Sequence, residues 1–159
     1  MRKVYLETSI ISYLTAKPSR TIVGAAHQQL TMLWWETRSE YDIVVSQSVW
    51  KECAAGDAAA AQRRLDCLNG IPILAITIEM VELAQALVAE SIVPKKALED
   101  ALHISIATLH GIDFLLTWNC RHIANLVIQE KIAAYLEQCG LFLPIICTPE
   151  VLLGGTENE

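Results

Sequence analysis

Apolar positions along this chain follow two alternating rhythms. Short runs that are apolar almost throughout, at residues 3–6, 42–46, 72–76, 114–117 and 142–147, predict strands buried on both faces. Between them, apolar residues recur at spacings of three and four. Val23, Ala26, Leu30, Leu33 and Trp34 predict a helix over residues 21–39, and Met80, Leu83, Ala84 and Leu87 predict another opened by Thr77. Thr8 and Ser9 are candidate caps for a helix through Ile10, Ile11, Tyr13 and Leu14, which Pro18 stops. A short helix is expected through Trp50, Glu52 and Cys53, and Asp57 caps the next, which runs to Leu68. Residues 97–110 read as a helix closed by Gly111, residues 123–126 as a helical stretch, and residues 129–139 as a last helix.

Strands that alternate with helices, each strand apolar along its length, predict an α/β fold in which helices cover both faces of a parallel sheet. The expected architecture is a three-layer α/β/α sandwich with about five strands. No repeat or linker divides it. Residues 1–150 read as one domain, and residues 151–159, ending in Gly154-Gly155-Thr156-Glu157-Asn158-Glu159, as a flexible tail.

Composition narrows the function classes. The chain has 159 residues, 53% of them hydrophobic, yet no apolar run approaches the ~20 residues that span a bilayer. Glu7 falls where a signal peptide needs an apolar stretch, so a cytoplasmic protein is expected. The five cysteines, an odd count with no C-x-x-C pair, suit free thiols in a reducing compartment. A net charge of −6 argues against a protein held on nucleic acid by bulk electrostatics. The pairs Arg2-Lys3, Arg63-Arg64 and Lys95-Lys96 still allow a local basic rim.

The candidate chemistry lies where the strands end, because open parallel sheets form their sites at that edge. Glu7 follows the first strand, Ser46 the second, and Thr117 to Asn119 the fourth. Glu52 and Asp100 sit in helices that open close to such ends. Acids at helix starts also have a plain role, complementing the helix dipole. Glu7 is harder to explain so, since an acid ending a buried strand needs a partner. Three carboxylates about 5 Å apart would repel by roughly 3 kcal/mol per pair at an effective dielectric near 20. Nothing adjacent in sequence neutralises them, so they must protonate, stay apart or hold a cation. An all-oxygen set favours Mg²⁺ or Mn²⁺ over zinc, and such an ion suits phosphodiester hydrolysis.

Asp100 and His103 share a helical face and raise a different metal set, but Glu99, four residues before His103, offers that histidine a simpler hydrogen bond. Arg121 and His122, directly after Asn119, are candidates for substrate phosphate. Trp34 and Trp35 read first as core, and an exposed Trp35 would mark a partner surface. A phosphotransfer receiver-like domain is a poorer match, because no Lys follows Lys131.

These residues also carry a resemblance. Val4-Tyr5-Leu6-Glu7-Thr8-Ser9-Ile10-Ile11, Ser48-Val49-Trp50-Lys51-Glu52, the stretch from Leu98 through Asp100 to Ala107, and Asp113-Phe114-Leu115-Leu116-Thr117-Trp118-Asn119 resemble, in order, the four acidic elements of the PIN domain family. The usual family residue is Asp where Glu7 stands, and often Asp where Asn119 stands. The resemblance implies a sheet of strand order 3-2-1-4-5 and a Mg²⁺- or Mn²⁺-dependent ribonuclease similar to VapC-type toxins. By the same resemblance, Glu7, Glu52 and Asp100 would be metal ligands, and Asn119 would complete the catalytic set. Thr8, Ser9 and Thr117 would hydrogen-bond to those ligands or bind substrate phosphate, beside Arg121, a substrate-binding candidate from its place after Asn119. RNA as substrate, a cognate antitoxin and a homodimer are the implied partners, with no membrane. The alternative is a catalytically inactive PIN-like module that binds RNA or protein, motivated by Glu7, Asn119 and the acidic charge.

Overall fold

The computed structural model describes residues 1–154. Its core is a five-stranded parallel sheet of order β3-β2-β1-β4-β5. The strands are β1 (Lys3–Leu6), β2 (Asp42–Ser46), β3 (Ile73–Leu74), β4 (Phe114–Leu116) and β5 (Ile145–Cys147). Among the described residues, eight α-helices flank it: α1 (Thr8–Thr15), α2 (Ile22–Glu36), α3 (Gln47–Cys53), α4 (Ala58–Cys67), α5 (Ile78–Ala89), α6 (Leu98–Leu109), α7 (Leu126–Gln138) and α8 (Pro149–Gly154). The expected α/β/α class and strand order both hold.

β1 lies at the centre, and Val4, Tyr5 and Leu6 are fully buried, as are Leu115 and Leu116 beside them. That explains the unbroken apolar runs, since helices cover both faces of each central strand. The chain steps outward from β1 through β2 to β3, then returns to the other side of β1 for β4 and β5. Strand order therefore reverses between β1 and β4, and the crevice at their C-terminal ends is where an open sheet places its site.

Element ends follow side-chain chemistry. α6 stops where Gly111, at φ +64°, lets Ile112 N–H reach the Ala107 carbonyl at 3.0 Å and Gly111 N–H reach Thr108 at 3.2 Å. That turn aims the chain into β4. The cap of α1 is Glu7, whose carboxylate accepts from Ser9 N–H at 2.7 Å, and not Thr8 or Ser9 as expected. α2 is shorter than the expected 21–39, giving way after Glu36 to a 3₁₀ turn at Arg38–Glu40.

β3 is shorter than predicted because side chains take over beyond Leu74: His110 Nε2 lies 3.0 Å from the Ala75 carbonyl, and Gln47 Oε1 accepts from Ile76 N–H. β5 begins at Ile145 because Pro144 has no N–H for the ladder. Of the helical stretch expected at residues 123–126, only Leu126 is helical. Asn125 Oδ1 accepts from Val127 N–H and Ile128 N–H, both at 3.1 Å, and so starts α7 at Leu126, three residues before the predicted opening.

The chain is also helical beyond residue 150. α8 packs on α2, and Leu152 and Leu153 lie against the core. Residues 151–154 of the expected tail thus belong to a helix, and the remainder lies outside the described residues. All five cysteines are free, and among the described residues no helix is long and apolar enough to cross a membrane.

Candidate active site at the β1–β4 crevice

Glu7 leaves β1 directly into the crevice and is only 6% exposed. A charge so buried must be hydrogen-bonded, and three donors meet it. Ser9 N–H reaches Oε2 at 2.7 Å, the Ser9 hydroxyl reaches Oε1 at 2.8 Å, and the Thr117 hydroxyl reaches Oε1 at 2.5 Å. The last contact crosses from β4 to β1. Ser9 Oγ also accepts Trp118 N–H at 2.8 Å, and Thr117 Oγ1 accepts Asn119 N–H at 2.9 Å. Ser9 and Thr117 therefore spend their hydroxyls holding Glu7 and the loop after β4, and Thr117 is fully buried. Of the two roles expected of them, bonding to a metal-ligand candidate or to substrate, they take the first, acting on the crevice through Glu7, Trp118 and Asn119.

Asn119 ties in the next carboxylate. Its Nδ2 donates to Asp100 Oδ1 at 3.1 Å, while its Oδ1 accepts His122 N–H at 3.1 Å. Asp100 Oδ2 lies 3.1 Å from His122 Nδ1. Asp100 stands in the first turn of α6, where its charge complements the helix dipole as well.

Glu52 is more open, with 39% of its side chain exposed. Ser46 ends β2 and caps α3 through Val49 N–H, so α3 starts at the sheet edge and carries Glu52 toward α6. There Glu52 Oε1 meets His103 Nε2 at 2.5 Å. This corrects the expected Glu99–His103 pairing along one helix. His103 is 1% exposed, and its partner on α3 lies 51 positions away in the chain.

Burial alone would lower the His103 pKa, but the Glu52 hydrogen bond and charge, with Glu7 and Asp100 adding, raise it overall. Partial burial alone would raise the Glu52 pKa, and His103, then Thr8 and Ser48, bring it below the usual carboxylate value. The buried imidazole thus feels all three carboxylates, which arrive from remote segments. The sequence offered no partner for them; the fold brings His103 to Glu52 and His122 to Asp100 as hydrogen-bond partners.

The residues grade from the buried Glu7 and Thr117, through half-buried Thr8, Ser9, Asp100 and Asn119, to exposed Glu52 and Arg121. Thr8 Oγ1 is a buried oxygen that completes no hydrogen bond of good geometry, although it lies close enough to Glu52 to affect its pKa. The donor set of three carboxylates, an amide and an unsatisfied hydroxyl fits a hard divalent cation in its chemistry. In arrangement the carboxylates are paired off: among the described residues, no three His, Cys, Asp or Glu side chains stand as a group that could hold a metal ion.

Sequence reasoning missed two features. Tyr5, in an otherwise aliphatic buried strand, hydrogen-bonds both His103 and Ser46; a buried phenol always needs a partner, which was the available signal. Trp118 stacks on His27 at 4.0 Å and donates to Thr31 Oγ1 at 2.7 Å, anchoring the loop that carries Asn119. Trp34 is core as expected, and Trp35 is half-buried with Arg38 lying 4.5 Å over its ring.

A 3-2-1-4-5 parallel sheet with acids gathered at its switch point defines a recognisable class of α/β domain. Residues 4–126 match the PIN domain family, and the chain belongs to it. Among solved structures, the chain resembles one from the VapBC2 structure of Rickettsia felis, a structure bound to a DNA fragment from their promoter. The identity is 18% over 92% of this chain and 98% of that one, with a TM-score of 0.53. It also resembles Mycobacterium tuberculosis VapC20, a Sarcin-Ricin loop cleaving toxin. There the identity is 14% over 74% of this chain and 91% of that one, with a TM-score of 0.56. Likeness at these identities speaks to fold. No curated protein matches the chain.

Proposed function

We propose that this protein is a divalent-metal-dependent endoribonuclease, the toxin of a type II toxin–antitoxin pair. One observation carries the reading: hydrogen bonds tie Glu7 to Asp100 through Thr117 and Asn119, and Glu52 to the central strand through His103 and Tyr5, so three remote acids are held at the sheet's switch point. Family membership and the likeness in fold to the VapBC2 chain and to the toxin VapC20 support it. In this reading Glu7, Glu52 and Asp100 hold Mg²⁺ or Mn²⁺. A bound ion would supply a water of lowered pKa and offset phosphate charge. Ser9 and Thr117 hold Glu7 in orientation, and Asn119 orients Asp100. Thr8 and Arg121 meet the RNA backbone, Thr8 through its unsatisfied hydroxyl and Arg121 from the exposed rim.

The antitoxin segment lies along the groove of about 350 Å³ between α1 and α2, lined by Tyr13, Leu14, Pro18, Ala25 and Met32. The protein acts in the cytoplasm, as a homodimer.

A second reading, an inactive module that binds RNA or protein at the same edge, draws on the histidine pairing of Glu52 and Asp100. Mn²⁺ calorimetry separates the two. The nuclease reading predicts a specific site in the wild type that is lost in Asp100→Asn. Absence of binding in the wild type favours the module.

A further inference from the structure

Glu52 sits on a seven-residue helix and carries a long, partly exposed side chain, so α3 alone does little to fix its carboxylate. A buried row of polar groups does more. Tyr5 is fully buried in the central strand, with its hydroxyl 2.7 Å from Ser46 Oγ and 2.7 Å from His103 Nδ1. His103 Nε2 is 2.5 Å from Glu52 Oε1. Ser46 Oγ already accepts Val49 N–H, so its own proton can go to Tyr5; the Tyr5 proton then goes to Nδ1, and Nε2–H is left for Glu52. When the imidazole is charged, Tyr5 turns its proton to Ser46, and Nε2–H still serves Glu52. The hydrogen bonds from His103 and from Ser48 Oγ at 3.5 Å fall on Oε1 of Glu52, and Thr8 Oγ1 stands close to the same carboxylate.

We infer that His103 is a positioning residue for Glu52: clamped by Tyr5 in the sheet, it fixes Oε1 and so orients the carboxylate for the divalent cation. This rests on the nuclease reading above. It gives the central strand a part in the site beyond carrying Glu7, because β1 braces Glu52 through Tyr5 as well. Partners of ligating carboxylates commonly affect metal affinity by about 10- to 100-fold.

The test is Mn²⁺ calorimetry on the full chain for the wild type, His103→Leu, His103→Gln and Tyr5→Phe, with thermal melts to verify folding. His103→Leu should bind Mn²⁺ about tenfold more weakly. His103→Gln, whose amide N–H replaces Nε2–H, should recover most of that loss, and Tyr5→Phe should fall between. His103→Asn, too short to reach Glu52, takes the place of His103→Leu if the latter does not fold. A metal-free readout accompanies these: imidazole ¹⁵N spectra at pH 9 should show the proton of His103 on Nε2, and Tyr5→Phe should mix the two tautomers. Wild-type Mn²⁺ affinity in folded His103→Leu, or a proton on Nδ1, overturns the inference and leaves the nuclease reading standing. No Mn²⁺ binding by the wild type overturns that reading, and the inference with it.

Discussion

Thr117 Oγ1 donates to Glu7 Oε1 at 2.5 Å, joining the end of β4 to the end of β1 across the point where strand order reverses. The same oxygen accepts Asn119 N–H at 2.9 Å. One hydroxyl therefore sets the positions of Glu7 and of the loop bearing Asn119.

Thr117→Val keeps the side-chain shape and removes that hydroxyl. Glu7, 6% exposed, would lose one of its donors, and Asn119 N–H its acceptor. Loss of a hydrogen bond to a buried charged group should lower stability by about 2 kcal/mol, read from the urea midpoint at an unchanged slope. A change within error would show that Glu7 does not depend on Thr117.

The pair of His103 and Glu52 makes stability depend on pH in a defined direction. The His103 pKa is raised in the folded state, so its contribution is complete below the ordinary histidine value of 6.5 and fades as pH rises through the folded value. The Glu52 pKa is lowered, so its contribution is present above the ordinary 4.5 and fades as pH falls through the folded value. The stability difference between wild type and His103→Gln should therefore peak in the weakly acidic window between those ordinary values. It should shrink toward alkaline pH and toward strong acid. A difference that stays flat across pH contradicts the pairing.

Trp118 locks the approach to Asn119. Its ring stacks on His27 at an interplanar angle of 14°, and Tyr13 meets it edge-on at 6.2 Å. Trp118→Phe removes the indole donation to Thr31 and part of the stacked area, which should lower stability by about 1–2 kcal/mol. Hydrogen exchange should quicken in residues 119–125 more than in the central strands. Equal change throughout would mean that Trp118 supports the whole domain and not this loop.

Much of the fold was legible because the central strands are buried on both faces and so must be apolar from end to end. The polar residues that end them, Glu7, Ser46 and Thr117, then stood out. The edge strands were less legible. Ile73 is exposed at the edge, and hydrogen bonds from Gln47 and His110 end β3 early, a tertiary effect that no local pattern carries. Asn125 was passed over as the cap of α7, which displaced that helix by three residues. In the candidate site, the carboxylates were visible one by one as strand-end and helix-start acids. Their partners were not, because His103 and Glu52 lie 51 positions apart and only the tertiary fold makes them neighbours.

The most direct test of the central claim is cleavage of RNA by the purified protein in Mn²⁺, with the wild type beside Asp100→Asn and beside excess chelator. The account predicts discrete fragments from the wild type, none under chelator, and a rate about a hundredfold lower in folded Asp100→Asn. Cleavage that persists unchanged in Asp100→Asn, or in the absence of divalent ions, would contradict it.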